Sequence, residues 1–417
     1  MTGTKPKLAA KAAVAVLALL LTVSPSLPLS AAGGGAGTGQ KVKIFSVNIC
    51  IDQDNIDERG TRMLDLIKSY DPDTVGTQEN GMPSHSKWPG IFENGLEGYG
   101  RVGLDDGGGH NSPNQGSNYI YYNESRIECL DWQTFWMSDT TMVMGSTYPM
   151  PWAYAVTWGL FRIRETGLVF AHVNCHLSAS SADEVAYQVR FVEKITSHFA
   201  ESGIPVFTTG DFNTSEGGSS YGVMVSGPYV SDSKYVAAKT ADIGTWRGWS
   251  DRPMEKGYVI DFCFVSDSLM DVNEYSVVDT KSPDGVILSD HRALFVEASL
   301  HPQQAGFPSQ LDSLSMEGSE VRELRKSTYV YDFEFSAPDD RRLTYFYRAE
   351  LYDADGGFVD SRKIWSLIFD REPPGTRTCT FCALNPDTEY IVKIYACTAG
   401  GQYSEPLVFS FRTLGEW

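Results

Sequence analysis

Five groups of polar residues recur along this chain: Asn48; Gln78 and Glu79; Asn174 and His176; Asp211 and Asn213; and Asp261, followed later by Asp290 and His291. Carboxylates and amides are hard oxygen donors suited to a small divalent cation, and imidazoles carry protons near neutral pH. Brought together, such groups would serve metal-assisted or acid–base hydrolysis. Taken singly, each is ordinary. A lone Asp–His pair is usually a satisfied surface pair, and a lone Gln–Glu is usually solvated.

What the groups share is a position at the end of an apolar segment. Lys41–Cys50 alternates as a strand does. Ile56–Tyr70 carries Met63, Leu64 and Ile67 on one helical face and stops before Asp71-Pro72. Thr74–Gln78 predicts a short strand that ends at Glu79. Leu168–His176 predicts another, and Ser181 with Glu184 reads as a capping box opening a helix. That helix turns Val185, Val189, Val192 and Phe199 inward and stops near Gly203. Ile204–Thr209 then runs into Gly210-Asp211-Phe212-Asn213, and Tyr258–Ser266 and Ala293–Leu300 complete the set. Polar ends on apolar strands are the layout of a site on an α/β scaffold.

In this order the five groups resemble the endonuclease/exonuclease/phosphatase superfamily, which includes pancreatic deoxyribonuclease, abasic-site endonucleases, inositol polyphosphate phosphatases and neutral sphingomyelinases. The resemblance spans Val42 to about Leu300. It implies an α/β fold, a four-layer α/β sandwich of two stacked mixed β-sheets flanked by helices. It also implies a metal-dependent phosphoric ester hydrolase using Mg²⁺, with Mn²⁺ as a substitute. Such hydrolysis needs the anion neutralised, a water deprotonated, and that water placed in line with the leaving oxygen. The resemblance makes Glu79 the principal Mg²⁺ ligand, with Asn48 and Asp290 beside it. His291, oriented by Asp261, would act at the scissile phosphate, because a carboxylate on one imidazole nitrogen fixes the tautomer and raises the basicity of the other. Asp211 is the rival general base. Asn213 would hold a phosphate oxygen, His176 would be a second donor to the phosphoryl group, and Asn174, on the same face, reads first as a structural hydrogen-bonder and second as a substrate-side residue supporting His176.

Within the superfamily the chain resembles an exported bacterial subgroup, through Phe135-Trp136-Met137-Ser138, the loop from Trp152 to Trp158, Asn174-Cys175-His176-Leu177, and Gly244-Thr245-Trp246-Arg247-Gly248-Trp249. Two departures put a shared substrate in doubt. Val156-Thr157-Trp158 lacks the usual arginine, and Ser178 stands where an aspartate often follows the His-Leu pair. Arg247 is the expected replacement phosphate donor, as a bidentate fork, and Trp246 the neighbouring substrate contact.

The whole chain has 417 residues, with 53 acidic against 34 basic side chains and a net charge of −19. That balance excludes a general electrostatic grip on nucleic-acid backbone or anionic lipid, although bound cations can still make a local anion site. Lys5, Lys7 and Lys11 precede the apolar run Ala12–Leu21 and the small residues Ser30, Ala31 and Ala32, the pattern of a secretory signal peptide over residues 1–32. Export to a secreted or cell-surface location follows, with no transmembrane span after cleavage. Gly33–Gln40 reads as a Gly-rich linker, 41–300 as the catalytic domain and 301–314 as a second linker. Short alternating segments over 315–414 predict a small all-β immunoglobulin-like sandwich. There Leu384-Asn385-Pro386-Asp387-Thr388-Glu389-Tyr390 resembles the tyrosine corner of fibronectin type III domains, although the usual strand-B tryptophan is not evident. Such a domain would space or tether the enzyme, or contact a surface or glycan. Of the seven cysteines, Cys50, Cys175 and Cys263 read as buried thiols. Cys379, Cys382 and Cys397 leave room for one bridge.

These readings converge on a secreted Mg²⁺-dependent phosphoesterase acting on a phosphodiester or phosphomonoester. Met142, Met144, Tyr148, Met150, Trp152 and Tyr154 read first as packing residues and second as an apolar rim for a lipid headgroup, as in a sphingomyelinase-like enzyme. An extracellular nuclease would need a basic strip, for which only Arg101, Arg247 and Arg252 stand nearby. A non-catalytic adhesion protein is disfavoured because every principal hydrolytic position is filled. A cysteine-based redox protein is disfavoured because the first domain lacks a closely spaced thiol pair.

Overall fold

The structure, a computed structural model, describes residues 40–52, 54–81, 86–104, 118–138, 153–302, 315–336, 344, 346–365, 376–397 and 403–415. Residues 1–39, expected to hold a signal peptide and most of a Gly-rich linker, most of the expected 301–314 linker, and the rim candidates Met142, Met144, Tyr148, Met150 and Trp152 lie outside them. Among the described residues no helix is long and apolar enough to cross a membrane.

The catalytic region runs β1 (Gln40–Asn48), α1 (Ile56–Tyr70), β2 (Thr74–Gln78), α2 (Trp88–Gly95), β3 (Tyr99–Val102), β4 (Tyr119–Asn123), β5 (Ile127–Trp136), β6 (Ala155–Ile163), β7 (Val169–His176), α3 (Ala182–Glu201), β8 (Val206–Asp211), α4 (Ser219–Val225), β9 (Ser231–Asp232), α5 (Ser233–Val236), β10 (Asp261–Val265), β11 (Met270–Val278) and β12 (Ala293–Leu300). Two six-stranded mixed sheets form, ordered β11-β12-β1-β2-β4-β3 and β5-β6-β7-β8-β10-β9. Burial is almost continuous along the central strands β2, β6, β7, β8 and β10, so each sheet is covered on both faces. Ile44, Val296, Phe170, Phe207 and Val265 fill the space between the sheets. Phe45, Val47, Met63, Ile67, Trp88 and Phe92 join the first sheet to α1 and α2. Val173, Cys175, Val185, Val189, Val192 and Phe199 join the second sheet to α3. Each such side chain contributes roughly 1.5–3 kcal/mol when fully buried. The four layers anticipated from sequence are present.

Local signals set the helix limits. The α1 helix ends where Asp71 adopts a left-handed conformation (φ 47°) and returns its N–H to the Lys68 carbonyl. The α3 helix starts on Ser181, whose Oγ accepts the Glu184 N–H at 3.4 Å. Only half of the anticipated box forms, because the Glu184 carboxylate accepts from Gln188 instead.

Between the sheets runs a buried polar band. Gln78 Nε2 donates to Asn174 Oδ1 at 2.7 Å, and Asn174 Nδ2 donates to the carbonyls of Thr77 and Tyr119. His172 meets the Thr74 hydroxyl at 2.9 Å through Nδ1 and the Thr209 hydroxyl at 2.8 Å through Nε2. Gly76 permits this close approach: a Cβ there would come within 2.8 Å of Thr209 Oγ1 and Asn174 Oδ1.

Among the described residues beyond 315 the strands pair antiparallel throughout: β13 (Val321–Lys326), β14 (Val330–Ser336), β15 (Phe346–Asp353), β16 (Phe358–Trp365), β17 (Thr376–Cys382), β18 (Glu389–Cys397) and β19 (Leu407–Arg412). These make a three-stranded sheet, β13-β14-β17, and a four-stranded sheet, β16-β15-β18-β19. One aromatic core lies in this region, including Tyr331, Phe333, Phe335, Tyr347 and Phe381. The Asn385 N–H donates to the Tyr390 hydroxyl at 2.9 Å. Lys363 on β16 pairs with Asp131 on β5, which ties this region to the catalytic one. All seven cysteines are free, so the bridge left open among Cys379, Cys382 and Cys397 is not formed.

Candidate active site

Strand register assembles the site. The parallel β1–β2 pair sets Asn48 opposite Gln78, one residue before Glu79. The parallel β7–β8 pair sets His176 opposite Asp211, and the antiparallel β8–β10 pair sets Asp261 opposite the same Asp211. His291 precedes β12, which lies antiparallel beside β1. Four strand ends and two strand beginnings therefore meet at one end of the sandwich. Backbone strain collects there too: Cys50, Glu79 and Asn213 all have φ between 46° and 62°, in the left-handed region that costs a non-glycine residue energy. Gly210, just before Asp211, has no room for a side chain, since a Cβ would lie 2.0 Å from the Cys175 carbonyl oxygen.

Asp211 sits at the centre. Its Oδ2 lies 3.6 Å from Nε2 of both His176 and His291 and accepts from Asn48 Nδ2 at 3.1 Å. Its Oδ1 accepts the Asn213 N–H at 2.9 Å, closing a tight turn. Asn48 Nδ2 also donates to Glu79 Oε1 at 2.9 Å, while its Oδ1 accepts the Cys50 N–H. The Ile51 N–H holds the other Glu79 oxygen at 2.9 Å.

On the far side, His291 Nδ1 lies 2.9 Å from Asp261 Oδ2. Asp261 is in turn backed by Thr245, whose hydroxyl accepts the Asp261 N–H. Burial by itself would push the His291 imidazolium down, but the charges of Asp261 and Asp211 override it and raise the group to about 10. The imidazole is therefore held protonated, with Nε2 facing Asp211.

His176 is arranged differently. Asn213 Nδ2 donates to the Leu177 carbonyl at 2.8 Å, and a carbonyl can only accept, so the amide orientation is fixed. Its second hydrogen points at His176 Nε2, 3.1 Å away, which places the ring proton on Nδ1. Asn213 thus orients His176, rather than offering a free N–H to phosphate as anticipated.

The donor set fits a divalent cation. One ligand atom each from Glu79, His176 and Asp211 lie within 4.8 Å of one another, as do those of Asp211, Asp261 and His291. Each group offers two carboxylates and one imidazole, and carboxylate oxygens are the hard donors that Mg²⁺ and Mn²⁺ take. Asp290 belongs to neither group. Its carbonyl anchors the Arg247 and Gly248 N–H groups, and its charge acts on Cys50 and His291.

Two expectations need correction. Asn174 is wholly buried in the inter-sheet band with both amide hydrogens engaged, so it joins the sheets and does not meet substrate. Arg247 is wholly buried as well, paired with Asp279 and donating to the Ser250 carbonyl, so its fork is not available to a phosphate. Trp246 is 37% exposed and bridges His291 through the backbone, which keeps it at the site's edge with the Arg252 guanidinium over its ring. Sequence reasoning missed Ser289, Thr245 and Arg59. For Arg59 a signal existed, because it falls on the same helical face as Ile56 and Met63.

With the geometry in place, comparison with known proteins identifies the class. Residues 55–291 match the Endonuclease/Exonuclease/phosphatase family, and the chain belongs to that family of metal-dependent phosphoric ester hydrolases. Among solved structures, a family protein from Bacteroides vulgatus is 25% identical, covering 63% of this chain and all of its own (TM-score 0.53). A family protein from Bacteroides thetaiotaomicron is 22% identical, covering 64% of this chain and all of its own (TM-score 0.55). A mannosyl-6-phosphatase from the same organism is 23% identical over 62% of this chain and 99% of its own (TM-score 0.53). Comparison with curated proteins gives no match.

Proposed function

We propose that this chain is an exported phosphoesterase that cleaves a small phosphate ester with Mg²⁺ or Mn²⁺ at the Glu79–Asp211–His291 site. The observation that carries this reading is Asp211 held between two imidazoles, with Asn48 linking it to Glu79. When bound by Glu79, with Asp290 adding negative charge nearby, the cation would supply the positive charge that an anionic ester requires. Asn48 turns its amide N–H groups to Glu79 and Asp211 and so aligns the carboxylates instead of ligating, a correction of its expected role. His291, kept protonated by Asp261, donates to the phosphoryl oxygens as charge develops. Asp211 is the acceptor for the proton of the attacking water, and His176, oriented by Asn213, supports the opposite side.

A small substrate is favoured because the cations near the cleft are otherwise engaged. Arg59 donates to carbonyls, Arg247 pairs with Asp279, and Arg252 lies over Trp246. That leaves no basic strip for a long polyanion among the described residues. Trp246 would contact the leaving group. The N-terminal pattern supports export, and the Tyr390–Asn385 tie with the three-plus-four strand arrangement supports a fibronectin type III-like spacer.

The test is hydrolysis of mono- and bis-nitrophenyl phosphate with Mg²⁺, then a panel of sugar phosphates, inositol phosphates, sphingomyelin and DNA. Metal-dependent nitrophenol release that EDTA abolishes is expected, with turnover of small esters exceeding that of DNA. A preference for duplex DNA would replace this reading with the nuclease one.

A further inference from the structure

We propose that Arg59 is a positioning residue, a buried fork that locks the loop serving Glu79 to the loop carrying Asp290 and His291. Its side chain rises from the first turn of α1 and is 3% exposed. Nη2 donates to the carbonyls of Ile49 and Cys50 at 2.8 and 3.2 Å, and Nη1 donates to the Asp52 carbonyl at 2.8 Å. Nε donates to the Leu288 carbonyl at 2.9 Å, across more than 200 residues of sequence. Trp88 and Trp249 close over the guanidinium, with ring centroids 5.3 and 4.8 Å away.

Each carbonyl lies one step from the site. The first loop holds Glu79 through the Ile51 N–H and Asn48 through the Cys50 N–H. Cys50 keeps its left-handed conformation (φ 56°) between those contacts. On the second loop, Leu288 is followed by Ser289, whose hydroxyl donates to the Asn48 carbonyl at 2.6 Å and accepts the His291 N–H at 3.1 Å. Arg59 and Ser289 are thus two independent ties between the same loops. A planar fork can serve four carbonyls spread over two segments. A lysine ammonium, with three donors at a single point, cannot.

This inference rests on the metal reading above, and the experiment separates the two. Mn²⁺ binding to the full chain is measured by electron paramagnetic resonance of the free ion, for wild type and for Glu79→Gln, Arg59→Lys, Ser289→Ala and Ile67→Val. Ile67 is a wholly buried aliphatic residue on the same helix and makes no hydrogen bond to either loop, so its variant matches a loss of packing alone. Arg59→Lys should weaken Mn²⁺ binding on the order of 10–100-fold, the range expected for groups that orient metal ligands. Its kcat should fall with little change in KM. Ser289→Ala should shift binding in the same direction by less, and Ile67→Val should lower Tm and leave binding unchanged. A folded Arg59→Lys protein with wild-type Mn²⁺ affinity overturns the proposal. Should that variant fail to fold, unchanged affinity in Ser289→Ala overturns it. Wild type binding no more Mn²⁺ than Glu79→Gln overturns the metal reading, and the proposal with it.

Discussion

His172 and His291 are both buried, and each uses its Nδ1 to meet a partner brought from another strand or loop. His172 lies mid-strand in the inter-sheet band and meets only the hydroxyls of Thr74 and Thr209. Burial therefore decides, and lowers it to about 3. His291 lies at the strand ends, where burial acts in the same direction but two carboxylates outweigh it and raise it to about 10. One environment makes a neutral structural imidazole, the other a charged donor. Depth is similar in the two cases, so the chemistry is set by whether the partner carries charge.

The sharpest way to break this contrast is to remove the charged partner of the site. His291→Ala should lower kcat/KM by about 1,000-fold, within the usual range for a donor that stabilises developing charge, with far-ultraviolet circular dichroism unchanged. Asp261→Asn should cost roughly 100-fold. It should also move the alkaline limb of the pH–rate profile from near 10 towards neutral, because the carboxylate that keeps the imidazole protonated is gone. An unmoved limb would detach His291 from that limb.

Smaller effects test the structural side. Asn174→Ala should destabilise the fold by roughly 1–3 kcal/mol, since it strands the Gln78 amide and two carbonyls, and it should leave kcat within a few-fold of wild type. A collapse of kcat at full folding would return Asn174 to the site. The least effect concerns pH and stability. The folded value of His172 is depressed, so the unfolded chain binds a proton that the native state refuses once pH falls below about 6.5. Stability should be lost from there down to about 3, by roughly 1.4 kcal/mol per pH unit. In His172→Gln, urea denaturation between pH 6.5 and 4.5 should show a slope smaller by that amount. His291 has the opposite sign, because its raised value gives stability present below 6.5 and lost as pH rises through about 10.

Much of this was legible in the chain. The α1 and β2 limits came from helical periodicity and the Asp71-Pro72 stop, whereas the convergence of Glu79, His176, Asp211, Asp261 and His291 was implied by the resemblance of these polar groups, in their order, to the superfamily. What periodicity cannot convey is where a side chain's hydrogen bonds go. Asn174 and His176 lie two residues apart on one strand, so alternation gives them the same face. Only the packing of the second sheet shows that one is sealed between sheets and the other is at the rim. Arg247 misled for a similar reason. An arginine between two tryptophans reads as a cleft donor, but Asp279, 32 residues later, captures it. Arg59 was hidden by its charge, although its position on the apolar face of α1 marked it.

The account stands most directly on Glu79 as the group that makes hydrolysis metal-dependent. Turnover of a nitrophenyl phosphate should be measured for metal-stripped wild type and Glu79→Gln across a titration of Mg²⁺ and of Mn²⁺. Wild type should be inactive without metal and saturate as it is restored, while Glu79→Gln should require far more metal and reach orders of magnitude less activity. Equal metal-dependent turnover in the two proteins would contradict the site described.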